Sequence, residues 1–98
     1  MSMLREEIVK ILQKVKEEIR IKYKAEIKGI FGSYAREEAK QGSDVDILVN
    51  FLEGATLFDF VGLANYLEEK LKIKVDIVPV DTLRREIKDK ILKEAIYL

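Results

Sequence analysis

Between Leu4 and Arg20 the apolar residues Leu4, Ile8, Ile11, Leu12, Val15 and Ile19 recur at steps of three or four, with Glu and Lys between them. That period predicts an amphipathic helix over residues 4–20 with one face against a core. Ser2 offers a capping hydroxyl, and Glu6 and Glu7 suit the positive end of the helix dipole. The pattern then changes. Ile27 to Phe31 reads as a strand, which Gly32-Ser33 ends, opening a short helix predicted through Ala39. Lys40-Gln41-Gly42 makes a turn into a second strand, Asp44 to Phe51, and Glu53-Gly54 breaks it.

Thr56 followed by Asp59 is a cap with an acidic third residue, opening a helix to about Leu71. Leu57, Phe60, Val61, Ala64, Leu67 and Leu71 form its expected buried stripe. Ile73 to Val80 gives a third strand, closed by Pro79. Asp81 or Thr82 caps a last helix with Leu83, Ile87, Ile91 and Ala95 facing inward, and the apolar end Ile96-Tyr97-Leu98 is expected to pack on the core rather than form an interface. The order αβαβαβα predicts an α/β domain (α+β by some schemes) with helices packed on a three-stranded mixed sheet. A helix between strands two and three supplies the crossover that parallel pairing needs.

Composition narrows the chemistry. The 98 residues are 48% hydrophobic with a single proline, as expected of one compact domain spanning residues 1–98. No apolar run reaches the ~18 residues of a membrane span, and the charged beginning lacks a signal-peptide core, so a soluble cytoplasmic protein is expected. Eighteen basic and eighteen acidic residues cancel, which argues against a general nucleic-acid binder. Cysteine and histidine are both absent, so any metal must take oxygen ligands, which favours Mg²⁺ or Mn²⁺ over zinc.

The candidate chemistry lies at the head of the second strand. Asp44 and Asp46 stand two residues apart, so on a strand they point to one face, and both are set in the apolar run Val45-Ile47-Leu48-Val49. An Asp-x-Asp pair alone is common in surface strands. Strand three, however, carries a third carboxylate, Asp76, between Val75 and Ile77. If the two strands are neighbours, three carboxylates converge on one face and repel one another unless a cation sits among them. Gly32, Ser33 and Arg36 add a turn suited to an anion, because glycine permits close backbone approach and free N–H groups at a helix start attract negative charge. Taken singly, Ser33 reads equally well as a helix cap and Arg36 as a solvated surface arginine.

Together, Gly32-Ser33, Asp44-x-Asp46 and Asp76 resemble the nucleotidyltransferase superfamily that includes DNA polymerase β and kanamycin nucleotidyltransferase. The Gly32-Ser33-Tyr34-Ala35-Arg36 form and the brevity of the chain are similar to its minimal branch. One departure is Glu37, where that branch often has glycine, which makes the turn stiffer and more acidic. The resemblance implies Mg²⁺-dependent transfer of a nucleoside monophosphate from a triphosphate, ATP, to a hydroxyl. Asp44 and Asp46 would bridge two metal ions, and Asp76 would complete one site and help deprotonate the acceptor. Gly32, Ser33, Arg36 and Ser43 would make up the nucleotide-binding set. Minimal members of this kind resemble antitoxins paired with HEPN-domain toxins, whose tyrosine they adenylylate. The expected partner is therefore a HEPN toxin, with a homo-oligomer as a further way to complete the acceptor surface. The alternatives are transfer to a small molecule of aminoglycoside type, or a non-catalytic module that silences a partner by contact.

Overall fold

The computed structural model describes residues 4–98. Its first helix, α1, runs Arg5–Tyr23 and buries Ile8, Leu12 and Ile19. The Leu4 N–H donates to the Glu7 carboxylate at 3.0 Å, so an acid in the first turn satisfies a free amide at the helix start. The expected Ser2 cap lies outside the described residues. Lys24, left-handed at φ 51, ends the helix and turns the chain into β1, Ala25–Phe31.

β2 spans Val45–Phe51 and pairs antiparallel with β1. Helix α2, Leu57–Leu71, opens as its sequence dictates: the Thr56 N–H donates to Asp59 at 2.9 Å. Its buried stripe is turned from the expected one. Leu63, Leu67 and Leu71 are buried, whereas Leu57 and Val61 are 76% and 50% exposed. The first two turns are apolar on nearly every side, so two overlapping stripes satisfy the same period, and only packing against α1 and the sheet selects one.

β3, Val75–Pro79, lies parallel to β2, as the helical crossover permits. A short 3₁₀ turn at Val80–Thr82 follows, in which the Thr82 hydroxyl donates to the Pro79 carbonyl at 2.8 Å. Helix α3, Arg85–Glu94, therefore starts after Arg84 and not at the expected Asp81 or Thr82 cap. Ala95 is buried as expected, but α3 itself buries no residue and Ile87 is 49% exposed.

Two further expectations are corrected. The sheet has four strands, in the order β3-β2-β1-β4, because Ile96–Tyr97 forms β4 along the outer edge of β1. Two residues are too few to show a strand period. Gly29 is the residue that admits this pairing, since a Cβ there would lie 2.3 Å from the Ile96 carbonyl oxygen. The packing reading of the chain end holds, with Ile96 and Leu98 against the core. Second, the short helix expected through Ala39 is a single turn. Arg36 N–H donates to Gly32 at 3.1 Å, and Glu38 N–H to Ser33 at 2.8 Å and Glu37 N–H to Tyr34 at 3.2 Å then close it. This bonding pattern is a Schellman motif, and Glu37 occupies its left-handed position at φ 59.

The core gathers Ile8, Leu12 and Ile19 of α1 with Ile27, Ile30, Val45, Ile47 and Val49 of the sheet and the leucines of α2. Both long helices thus cover one sheet face. By strand alternation Asp46 belongs to the other face. Among the described residues no helix is long and apolar enough to cross a membrane.

Candidate functional site

Parallel pairing of β2 and β3 sets Asp46 directly opposite Asp76, between the apolar partners Val45↔Val75 and Ile47↔Ile77. On the other side of β2, Asp46 is in register with Phe31, the last residue of β1. The Gly32 turn therefore begins beside the carboxylate. Gly32 has φ 76, and a Cβ built on it would sit 2.1 Å from Asp46 Oδ2. Only glycine lets the turn come so near.

Asp46 is half-buried, whereas Asp44, one residue before the strand, and Asp76 are exposed. Burial, then the charges of Asp76 and Asp44 and contact with the Asp76 side chain, push the Asp46 carboxyl up to about 6, against a lowering pull from Arg36. This is the behaviour of carboxylates crowded without a counter-charge. Among the described residues no three acidic groups are gathered into a ready-made metal cage. The donor chemistry nevertheless fits a hard divalent cation: the donors are carboxylate oxygens alone, and their repulsion is what such a cation relieves.

Around this pair the other expected residues take distinct places. Ser33 sits in the turn and its carbonyl accepts from Glu38. The Arg36 guanidinium lies between two carboxylates, Glu38 at 3.1 Å and Glu94 of α3, which together hold it above its usual range. The Ser43 hydroxyl accepts from the Lys40 N–H at 2.9 Å and so closes the turn ahead of Asp44. Tyr34, Ser43, Asp44, Lys72, Ile73 and Lys74 contribute to the wall of a cavity of about 610 Å³, within the size range of small-ligand sites.

Arg5 also belongs to the surroundings of the turn. It donates to the Ala35 carbonyl at 2.9 Å and pairs with Glu37 at 3.1 Å, tying the start of α1 to the glycine turn. No local signal marks it, because its partners lie about thirty residues away. Glu94 is equally unmarked in sequence, being brought to Arg36 by the fold alone.

A mixed sheet with helices on one face, paired carboxylates on the other and a glycine turn set against them defines a nucleotidyl-transfer scaffold. The sequence profile of the nucleotidyltransferase domain matches residues 8–98, and the chain belongs to that family. It is 44% identical over 93 residues to the protein adenylyltransferase MntA of Thermococcus cleftensis, an alignment covering 95% of this chain and 94% of that one. A Methanocaldococcus jannaschii protein assigned as a protein adenylyltransferase is 41% identical over 93 residues, with 94% and 95% covered. Among solved structures, one described as a minimal nucleotidyltransferase superposes with TM-score 0.82 at 36% identity, covering 98% of this chain and 97% of that one. The fold is also shared with a chain of a toxin–antitoxin crystal structure containing AMP-PNP, at TM-score 0.67 and 21% identity, covering 97% of this chain and 72% of that one.

Proposed function

We propose that this nucleotidyltransferase moves AMP from ATP to a tyrosine hydroxyl of a HEPN-domain toxin, and so serves in the cytoplasm as its antitoxin. The observation that carries the chemistry is the Asp46–Asp76 register pair with the Gly32 turn set against it. The name of the Thermococcus relative, a protein adenylyltransferase, supports a protein acceptor.

In this reading Asp44, Asp46 and Asp76 would hold Mg²⁺ or Mn²⁺, which would supply charge neutralisation at the phosphates and at the attacking oxygen. The Gly32 backbone, Ser33, Arg36 and Ser43 orient the triphosphate. The acceptor oxygen bonds to the α-phosphorus as the bond to the oxygen bridging the β-phosphate breaks. Pyrophosphate leaves with that electron pair, and Asp76 assists removal of the hydroxyl proton. Positioning and electrostatics are the main demands of such a transfer. A second reading, neutralisation of the partner by contact alone, draws support from Arg36, whose guanidinium is already engaged by two carboxylates.

Intact mass spectrometry of the chain with ATP, Mg²⁺ and a HEPN-domain partner tests the proposal. A gain of one AMP on the partner, lost with EDTA, is expected. A stable complex without any mass gain would favour the contact reading.

A further inference from the structure

We propose that α3 supplies a polyphosphate subsite, in which Lys90 and Lys93 join Arg36 around Glu94, a carboxylate that holds the place of the ligand until it arrives. The inference rests on the nucleotidyl-transfer reading above and extends it to residues that reading does not use.

A depression of about 590 Å³ is lined by Arg36, Lys90, Lys93 and Glu94. Lys90 and Lys93 stand three apart on α3, so they share a face, and Glu94 lies four beyond Lys90 on that same face. Among the described residues neither lysine forms an ion pair. Three cations thus line the same depression as one carboxylate, and Glu38 also binds Arg36. The depression and the carboxylate pair are linked through Arg36 and Gly32. Arg36 N–H bonds the Gly32 carbonyl, Gly32 abuts Asp46 Oδ2, and the Arg36 charge is felt at Asp46. A triphosphate with its α-phosphate at the aspartates and its tail along the Gly32 turn would run toward these lysines.

The place of Glu94 argues for a ligand as well. A carboxylate in the last turn of a helix meets the negative end of the dipole, where a cation is preferred. Because α3 buries no residue, core packing does not dictate that choice. Arg36 offsets it, and a polyanion engaging Arg36, Lys90 and Lys93 at once would displace a single carboxylate from an exposed pair, which is worth little.

Calorimetric titration of tripolyphosphate, ATP and AMP into wild type, the double variant Lys90→Ala/Lys93→Ala and Glu94→Gln tests this, with circular dichroism to verify folding. The double variant is expected to weaken tripolyphosphate and ATP about tenfold, as for loss of screened charge-assisted contacts, and to leave AMP unchanged. Glu94→Gln is expected to tighten ATP severalfold by freeing Arg36. Undiminished ATP and tripolyphosphate binding by the double variant would overturn the subsite while sparing the nucleotide reading. Wild type that binds tripolyphosphate but not ATP would keep the subsite and overturn the nucleotide reading. Binding of neither ligand overturns both.

Discussion

Gly32 and Asp46 occupy one space: a β-carbon on the glycine would stand 2.1 Å from the aspartate Oδ2. The turn that leaves β1 is thus shaped around a side chain of β2. Gly32→Ala meets both that collision and a positive φ of 76, and is expected to cost roughly 1–3 kcal/mol and to lower nucleotidyl transfer. Urea denaturation measures the stability loss. Asp46→Ala removes the colliding oxygen, so part of the cost should vanish in the double variant. Simple additivity of the two changes would show that the glycine serves its own backbone alone.

Stability should depend on pH through Asp46. Its carboxyl is pushed up to about 6 from an ordinary 3.8, so between those values the folded chain binds more protons than the unfolded one. Stability then falls as pH rises through this window, and what is fully present below pH 3.8 is lost above about pH 6. Because Asp46 is half-exposed and screened, the loss is on the order of 1 kcal/mol, or roughly 4–8 °C in Tm for a domain of this size. Asp46→Asn should remove this component, and saturating Mg²⁺ should oppose it. Thermal melts from pH 4 to pH 7.5 in EDTA check the sign; a wild type that gains no stability over the variant on acidification contradicts it.

Glu37 holds the left-handed position that glycine prefers, at φ 59. Its carboxylate pairs with Arg5 at 3.1 Å, an exposed contact worth little. Glu37→Gly and Glu37→Ala both lose that pair, but only glycine relaxes the backbone. The glycine variant is expected to be more stable than the alanine variant by about 1 kcal/mol. Equal midpoints in urea would mean that the turn carries no strain.

Asp76→Asn should separate binding from chemistry. Asparagine keeps the shape and removes a charge facing Asp46, so folding should survive. ATP affinity is expected to fall less than AMP transfer, which should drop 10²–10⁴-fold, as for loss of a positioned base. Transfer near the wild-type rate, measured with the partner as acceptor, would make Asp76 a strand residue only.

What could be read from sequence follows from the range of each signal. Ile8, Leu12 and Ile19 repeat often enough to define a helix face, and Thr56 with Asp59 is a local bond written in four residues. The neighbouring places of Asp46 and Asp76 also follow from local rules, strand alternation and a helical crossover. Elsewhere the deciding partner is distant. Ile96 and Tyr97 become a strand only because β1 has an open edge and Gly29 has no side chain there. In α2, Leu63 is buried in place of Leu57 because tertiary packing chooses between two stripes that periodicity permits. The turn after Gly32 ends early because Glu37 adopts a conformation that composition disfavours. Around the candidate site, Arg5 and Glu94 left no trace in any window of sequence, since each acts on a residue brought close by folding.

The bond from Arg5 to Ala35 also makes the site depend on α1. It closes a loop of about thirty residues and joins the start of α1 to the Gly32 turn. The turn that carries Gly32, Ser33 and Arg36 thus has one of its anchors in the first turn of α1. Loosening α1 from the sheet would remove that anchor, so the arrangement beside Asp46 leans on a helix far from it in sequence.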